Sequence, residues 1–434
     1  MKIALLGYGK QGRAAYDYWY SGNEITICDS SQDLDLPTTA DSQLGPDYLQ
    51  GLDRFDVIVR SPIIHPRDIA AANSHNILNK VTTVTNEFFK VCPSINIIGV
   101  TGTKGKGTTS SLIVKLLEAA GYRVHLGGNI GTPPLDLLKN DIRSNDWIVL
   151  ELANFQLIDL KFSPPIAVCL MVTPEHLDWH KDINEYYDAK AQLFIHQKSV
   201  DIAIYLASDK ISKSIASRGP GKLIPYFALP GAYVDNNNIK IDGQNICKTT
   251  DLKLLGKHNW QNVCAALTAV WQVTQDVDAL SSALNNFHGL PYRLESRREV
   301  NGIRYYNDSF ASGPPATIAA VEAIPGTKVM IIGGYDRNLK LDEFAKDLVR
   351  LKTGIRKVLL IGDSAQRTSK VLTKNGFDNF EMSKATEMAE IVSEASELAQ
   401  TGDAVVLSPG FASFDMFKNF EDRGNQFNRA VSNL

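Results

Sequence analysis

A glycine-rich run between two regular segments constrains this chain more than any other feature. Residues 99–108 read Gly-Val-Thr-Gly-Thr-Lys-Gly-Lys-Gly-Thr, after an apolar stretch that begins at Ile95 and before a helix-forming stretch over 110–120. A strand, a glycine turn and a helix N-terminus direct backbone N–H groups and the helix dipole at a bound phosphate, and a lysine adds full charge. The pattern predicts a nucleotide-phosphate site in an α/β domain, formed by Gly102, Thr103, Lys104, Gly105, Lys106, Gly107 and Thr108.

The spacing of this loop departs from a strict Walker A motif. Gly107 stands where a hydroxyl residue usually follows the lysine, so Thr108 is the nearest hydroxyl that could hold Mg²⁺. Glu151 ends the apolar segment 147–150, and its carboxylate is a second candidate because hard cations prefer oxygen ligands. An ordinary acid at a strand end is the alternative interpretation of Glu151.

A second glycine pattern opens the chain. Gly7, Gly9 and Gly12 follow a short apolar segment in the order GxGxxG, and Asp29 follows the next one. Dinucleotide-binding domains share this pattern. Only about 90 residues precede the phosphate loop at residues 102–108, and such a length is short for a domain with two mononucleotide-binding halves. A smaller unit that holds one diphosphate-bearing ligand fits better than an NAD site.

Alternating strand and helix patterns divide the 434 residues into three predicted α/β domains. They are a Rossmann-like unit over 1–92, a central parallel sheet with the phosphate loop over 93–290, and a Rossmann-like unit over 291–434. A net charge of −3 argues against nucleic acid as a partner. No apolar run reaches the length of a membrane span. Five cysteines without a C-x-x-C pair indicate free thiols in a reducing cytoplasm.

Other polar residues leave two interpretations open. His176 follows a predicted strand over 166–172, where a metal ligand and a structural histidine are both possible, and Lys190 resembles an exposed helix lysine. Two asparagines three residues apart on a predicted helix suit a purine edge, or Asn259 caps that helix. An arginine and an aspartate further on could contact phosphate and ribose, and both have structural alternatives. These four residues are Asn259, Asn262, Arg293 and Asp308.

Taken in order, these motifs resemble those of the Mur ligases, the ATP-dependent amide-forming enzymes of peptidoglycan synthesis. The resemblance covers essentially the whole chain and is most specific near its end. The segments that carry it are 101–106, 127–131, 150–157, 174–178, 258–262, 289–293, 307–309, 333–334 and 408–424.

The resemblance implies that the chain adds D-glutamate to UDP-N-acetylmuramoyl-L-alanine through an acyl phosphate, releasing ADP and phosphate. ATP and two Mg²⁺ ions are the implied cofactors. The implied ATP-site roles are Lys106 on the phosphates, Asn259 and Asn262 on the adenine side, Arg293 near phosphate and Asp308 near ribose. The implied metal ligands are Thr108 and Glu151 for one ion, and His176 and a carbamylated Lys190 for the other.

The same resemblance assigns the two substrates. Gly7, Gly9 and Gly12 would line the diphosphate of the UDP-sugar, and Asp29, Ser30 and Ser61 its uridine side. Asn129 would contact the muramoyl group, and Arg337, Ser413 and Phe420 the incoming D-glutamate. A monomer with small-molecule substrates is expected.

Several positions depart from the family pattern. Gly107 with Lys104 is similar to folylpolyglutamate synthetase, Ala153-Asn154 replaces a Ser-Ser pair, and Phe310 stands where lysine is common. Addition of L-glutamate or another acidic amino acid is therefore an alternative. Folylpolyglutamate synthetase is disfavoured because that family lacks a GxGxxG domain before its phosphate loop. An NAD-dependent oxidoreductase leaves the phosphate loop unexplained, and a non-catalytic nucleotide-binding module leaves the paired metal-site residues unexplained.

Overall fold

The computed structural model describes residues 1–74 and 76–434. They form two compact units, one of residues 1–251 and 261–285 and the other of residues 252–260 and 286–434. The predicted division at residues 92 and 290 remains a prediction.

The first sheet of unit 1 has five parallel strands in the order β3-β2-β1-β4-β5. Its strands are β1 (Lys2–Leu6), β2 (Glu24–Asp29), β3 (Asp41–Leu44), β4 (Val57–Arg60) and β5 (Val81–Thr82), and its helices are α1 (Lys10–Trp19), α2 (Pro66–Ala72) and α3 (Val84–Val91). Helix α1 begins in the GxGxxG segment of residues 7–12, which is the first glycine turn along the chain. A Cβ on Gly12 would lie 2.0 Å from the carbonyl oxygen of Gly7, so only glycine permits this approach of helix to turn.

The second sheet of unit 1 has six parallel strands in the order β11-β10-β9-β6-β8-β7. Its strands are β6 (Ile97–Thr101), β7 (Val124–Gly128), β8 (Trp147–Glu151), β9 (Ile166–Cys169), β10 (Ile202–Leu206) and β11 (Lys222–Tyr226). Its helices are α4 (Lys106–Ala119), α5 (Pro134–Leu137), α6 (Asn154–Leu157), α7 (Ile183–Ile195) and α8 (Lys210–Ala216). All five residues of β6 are buried, as expected for a central strand covered on both faces.

Strand β9 is shorter than its apolar sequence predicts. The strand ends at Cys169, although the amide of Leu170 still donates to Thr101 of β6, and the amide of Val172 donates to Asp209 rather than to a neighbouring strand. The next residues form the irregular segment that carries His176.

A small antiparallel sheet, β12 (Tyr233–Asp235), β13 (Asn238–Ile241) and β14 (Gln244–Lys248), follows β11. Helices α9 (His258–Val270) and α10 (Val277–Asn286) come next. Short 3₁₀ turns lie at Leu52–Arg54, Ile77–Lys80, Leu138–Asn140 and Lys352–Gly354.

Unit 2 has one six-stranded sheet in the order β15-β16-β20-β17-β18-β19, and only β15 runs antiparallel to its neighbour. Its strands are β15 (Glu295–Val300), β16 (Ile303–Asn307), β17 (Lys328–Gly333), β18 (Ile355–Ile361), β19 (Phe380–Met382) and β20 (Ala404–Leu407). Its helices are α11 (Pro314–Ala323), α12 (Asp342–Arg350), α13 (Ala365–Lys374), α14 (Met388–Leu398) and α15 (Phe420–Ser432).

The structure confirms the predicted α/β class with parallel sheets. In each of the three larger sheets, a loop with predicted site residues follows the carboxyl end of a parallel strand. Open parallel sheets bind their ligands at this edge. None of the helices in residues 1–74 and 76–434 has the length and apolar character needed to cross a membrane.

Candidate active site and its family

The phosphate loop connects β6 to α4, as its sequence predicts. Gly105 ends the loop with φ +87°, and a Cβ there would lie 2.4 Å from Oδ1 of Asn262, so glycine is required. Lys106 is the first residue of α4, and its Nζ donates to the carbonyl oxygens of Gly102 (3.2 Å) and Thr103 (3.0 Å). The loop thus places a lysine and a helix N-terminus at one point, the arrangement that binds phosphate.

Lys190 lies beneath the same loop. It is 1% exposed on α7, and its Nζ donates to the carbonyl oxygen of Gly102 at 2.9 Å and sits 4.5 Å from the centre of the Tyr186 ring. Burial lowers the pKa of Lys190 to about 7, and the charge of Lys106 adds to that shift. The exposed helix lysine that the sequence alone suggests is therefore wrong.

Glu151 ends β8 beside the phosphate loop. It is 4% exposed, and its Oε1 accepts a hydrogen bond from the side chain of Asn129 at 3.2 Å. Thr108 lies half-buried in the first turn of α4. A buried carboxylate and a hydroxyl are oxygen donors of the kind that Mg²⁺ prefers, so these residues fit the predicted ion.

His176 occupies the irregular segment after β9. Its backbone is left-handed with φ 57°, which is uncommon outside glycine, and its ring lies 4.7 Å from that of Phe155. The side chain faces a cleft of about 460 Å³ within unit 1. The cleft is lined by Lys10, Gln11, Ser61, Pro62, Ile63, Gly128, Asn129, Gly131, Pro133, Phe155, His176, Asp178 and Trp179.

The first glycine turn carries its own acid. Oδ2 of Asp29 accepts from the amide of Tyr8 at 2.8 Å, and Oδ1 accepts from the amide of Ser31 at 2.9 Å. Asp29 therefore shapes the turn around Gly7 and Gly9. A Cβ on Gly7 would lie 2.8 Å from Cβ of Ser61, so the turn packs directly against the loop after β4. Ser30 is exposed beside it.

A hydrogen-bonded cluster joins α2 to the His176 segment. Oε2 of Glu185 lies 3.2 Å from Nε2 of His65, 3.2 Å from Nδ1 of His180 and 2.7 Å from the amide of Lys181. Two histidines and a glutamate could hold a metal ion. However, the amide of Arg67 donates to Nδ1 of His65, so Nε2 carries the proton and donates to Glu185. The cluster therefore uses hydrogen bonds to hold the loop before α2 and the segment before α7 in place.

Unit 2 contains a buried polar centre after β16. Asp308 is 8% exposed and accepts hydrogen bonds from Ser408 Oγ (2.7 Å) and the amide of Leu294 (3.1 Å). Burial raises the pKa of Asp308 to about 7, although these hydrogen bonds oppose the shift. The guanidinium of Arg293 lies 3.7 Å above the ring of Phe310, a cation–π contact.

The other predicted residues of unit 2 follow β17 and β20, with Arg337 and Ser413 on loops and Phe420 at the start of α15. Arg337 donates to the carbonyl oxygen of Ser312 at 2.7 Å, Ser413 is buried, and the ring of Phe420 meets the edge of Phe310 at 5.0 Å. Arg423, which is fully buried, donates to Ser309. Burial lowers the pKa of Arg423 to about 10.

Asn259 and Asn262 both lie in the first turns of α9. Because that helix begins at His258, Asn259 is not its N-cap, and its side chain donates to the carbonyl oxygen of Leu255 at 2.7 Å. Oδ1 of Asn262 lies 3.5 Å from Thr109 Oγ1, which places it against the phosphate loop.

Known proteins match the sequence of this chain over its whole length. The chain matches the Mur ligase middle domain over residues 100–270 and the Mur ligase glutamate ligase domain over residues 292–411. The UDP-N-acetylmuramoylalanine–D-glutamate ligase of Clostridium tetani is 33% identical over 452 residues, covering 100% of this chain and 97% of that protein. The chain belongs to the Mur ligase family. The enzyme of the same name from Acetivibrio thermocellus is 35% identical, with 100% and 96% coverage.

Solved Mur ligase structures share the fold. The UDP-N-acetylmuramate-alanine ligase MurC from Thermotoga maritima superimposes with a TM-score of 0.60 at 16% identity, covering 100% of this chain and 99% of that one. The MurF ligase from Thermotoga maritima in complex with ADP gives 0.61 at 17% identity, with 100% and 95% coverage. As a Mur ligase, the protein is an ATP-dependent amide ligase.

The sequence analysis missed three residues that organise unit 1 of this Mur ligase. Arg60, His65 and Glu185 connect the loop after β4 to α6 and α7, and their partners lie 95 to 120 residues away in the chain. The one local signal for Arg60 is a charged residue directly after the apolar residues 57–59, at the end of β4. Neither histidine nor glutamate stands in a recognisable motif.

Proposed function

We propose that this Mur ligase adds D-glutamate to UDP-N-acetylmuramoyl-L-alanine and converts ATP to ADP and phosphate. One observation carries the proposal: a single cleft is lined by Lys10 and Ser61, beside the first glycine turn, by Asn129, whose side chain donates to Glu151 at the end of β8, and by His176. A UDP-sugar held at the first turn could thus present its acyl end to the ATP site. The names of relatives that match the full chain at 33–35% identity support the same substrates.

The proposed reaction has two steps. A carboxylate oxygen of the substrate attacks the γ-phosphorus of ATP, the bond to ADP breaks, and an acyl phosphate forms. The amine of D-glutamate then attacks the acyl carbon, loses a proton, and phosphate leaves. Both steps gather negative charge, so positioning and electrostatic stabilisation account for most of the catalysis. Lys106 would hold the ATP phosphates, and His176 would help to place the acyl group.

We propose that four of these residues hold two magnesium ions. Thr108 and Glu151 would hold one ion, and His176 with Lys190 the other. Bound magnesium would neutralise charge on the phosphate oxygens and orient the acyl group. An amine ligates poorly when protonated, but the buried Lys190 has a pKa of about 7. Its neutral amine can add CO₂ and lose a proton to form a carbamate, whose oxygens suit the ion.

The remaining residues would bind the organic parts of the substrates. The residues for the UDP-sugar would be Gly7, Gly9, Gly12, Asp29, Ser30, Ser61 and Asn129. Those for ATP would be Asn259, Asn262, Arg293 and Asp308, and those for D-glutamate would be Arg337, Ser413 and Phe420. Arg337 could grip a carboxylate through two parallel hydrogen bonds. We expect the activity in the cytoplasm, where ATP and nucleotide sugars are available.

Phosphate release tests the proposal directly. The purified protein is supplied with ATP, Mg²⁺ and UDP-N-acetylmuramoyl-L-alanine, and amino acids are screened one at a time. Release that depends on D-glutamate, with the matching product mass, supports the proposal. Equal release with L-glutamate would change the assigned substrate, and no release with any amino acid would overturn the activity.

A further inference from the structure

Arg60 is a fully buried arginine that donates hydrogen bonds to two segments that line the cleft. It is 1% exposed, and its Nε and Nη2 form a bidentate pair with Asp159 at 2.8 and 2.7 Å. Nη2 also donates to the carbonyl oxygen of Phe155 at 3.0 Å. Because Phe155 lines the cleft from α6, this guanidinium is attached to one cleft wall.

The same guanidinium also donates to a second segment of the cleft lining, the loop of residues 61–64 that follows β4. Nη1 of Arg60 donates to the carbonyl oxygens of Ser61 (3.2 Å), Pro62 (3.0 Å) and Ile64 (2.8 Å). Such a cluster of carbonyls around one cation is specific to the fixed fork of arginine, since a lysine ammonium cannot reach all of these acceptors and Asp159 together.

Trp179 holds the one remaining carbonyl of that loop. Its indole Nε1 donates to the carbonyl oxygen of Ile63 at 2.8 Å, and its ring lies 4.8 Å from Phe155 and 4.3 Å from His65. All four successive carbonyls of the 61–64 loop therefore accept a hydrogen bond from Arg60 or Trp179. The side chain of Ile63 is 75% exposed, so packing of that side chain does not fix the loop.

The position of this loop matters to the first glycine turn. Ser61 packs against Gly7 so closely that a Cβ on Gly7 would lie 2.8 Å from Cβ of Ser61. Movement of the 61–64 loop would therefore displace the turn that is proposed to hold the diphosphate. Ser61, Pro62 and Ile63 also line the cleft itself.

We propose that Arg60 and Trp179 are positioning residues that preset the 61–64 loop for the nucleotide-sugar substrate. The inference rests on the proposed function, because the cleft is taken to bind the UDP-sugar. Neither residue needs to touch reacting atoms. Pre-ordering of the loop removes the entropy cost that a mobile loop would add to substrate binding. The effect should therefore appear in the affinity for the UDP-sugar and not in the chemical step.

Trp179→Phe is the sharpest test, because it removes the hydrogen bond to Ile63 and leaves a smaller apolar ring against Phe155 and His65. We expect the KM for UDP-N-acetylmuramoyl-L-alanine to rise roughly three- to tenfold, the range of one lost hydrogen bond, with kcat and the KM for ATP unchanged within about twofold. Arg60→Lys should give a larger rise, because it loses the bidentate pair and most of the carbonyl contacts. Calorimetric titration with the UDP-sugar in the absence of ATP should show the same losses of affinity.

Matched variants remote from the cleft serve as controls. Trp147→Phe changes a tryptophan at the start of β8, and Arg356→Lys changes an arginine that pairs with Asp403 in unit 2. Both should leave the KM for the UDP-sugar unchanged. If Trp179→Phe lowers the thermal midpoint but leaves that KM and the calorimetric affinity unchanged, the residues are only structural and the inference is wrong. Failure of the wild type to use the UDP-sugar would instead overturn the proposed function.

Discussion

The side chain of Lys190 and the carbonyl oxygen of Gly102 form a 2.9 Å hydrogen bond that fixes a buried amine directly beneath the phosphate loop. Lys106 donates to the same carbonyl from the other side of the loop. Two lysines thus converge on one peptide group. Burial and their mutual repulsion favour the neutral form of the more buried one, so Lys190 has a pKa of about 7.

The first prediction concerns modification of Lys190. At neutral pH about half of a lysine with that pKa is the reactive free amine, so Lys190 should add CO₂. Incubation with ¹³C-bicarbonate should give one carbamate carbon signal that is absent from Lys190→Ala. That variant should lose roughly 100-fold or more in kcat, and short carboxylates such as acetate should partly restore it.

An exposed lysine of unit 1 is the control for this experiment. Lys210→Ala, at the start of α8, should retain the carbamate signal and full activity. Unchanged activity of Lys190→Ala would contradict the prediction.

The second prediction concerns the charge at the N-terminus of α4. Lys106→Ala removes the cation that is proposed to hold the ATP phosphates, and kcat should fall by roughly 10²–10³-fold. Lys115→Ala changes an exposed lysine of the same helix, which pairs with Glu118, and should behave as wild type. Steady-state phosphate release measures both. Equal activity of the two variants would show that Lys106 does not act on ATP.

The third prediction tests which hydroxyl serves the magnesium ion. Thr108 offers a half-exposed hydroxyl in the first turn of α4, whereas its neighbour Gly107 is buried. Thr108→Ala should therefore reduce activity more than Gly107→Ser and should raise the Mg²⁺ concentration needed for half-maximal rate. Thr108→Ser keeps the hydroxyl and should restore both. A greater loss for Gly107→Ser would mean that the ion is bound elsewhere.

The strand, glycine turn and helix patterns predicted the main sheets and both glycine loops, because these signals are local. The burial of Lys190 could not be predicted from such local signals. Residues 186–190 have the composition of a surface helix, and only tertiary packing beneath the phosphate loop makes the lysine buried. The resemblance to Mur ligases, and not the local pattern, identified it as a candidate ligand.

Arg60 is a residue whose position can be seen in the sequence but whose contacts cannot. Its position at the end of an apolar strand is visible in the sequence, but its partners Phe155 and Asp159 are 95 and 99 residues away. No periodicity or spacing connects such residues. The early end of β9 has the same cause, because the acceptor for Val172 is the side chain of Asp209 in a later segment.

The last prediction concerns the pH dependence of stability through Asp308. The pKa of this buried carboxyl is raised from 3.8 to about 7, so between those values the folded protein holds a proton that the unfolded chain has released. Stability should therefore fall as pH rises from about 4 to about 7, and this contribution should be constant above that range.

Asp308→Asn removes the titrating group while keeping one acceptor oxygen for Ser408. Thermal midpoints measured from pH 5 to pH 8 should decline less steeply for the variant, corresponding to roughly 3 kcal/mol of unfolding free energy across that range. Asp378→Asn, at an exposed aspartate, should follow the wild-type slope. Parallel slopes for wild type and Asp308→Asn would show that the carboxyl is ionised in the folded protein throughout this range.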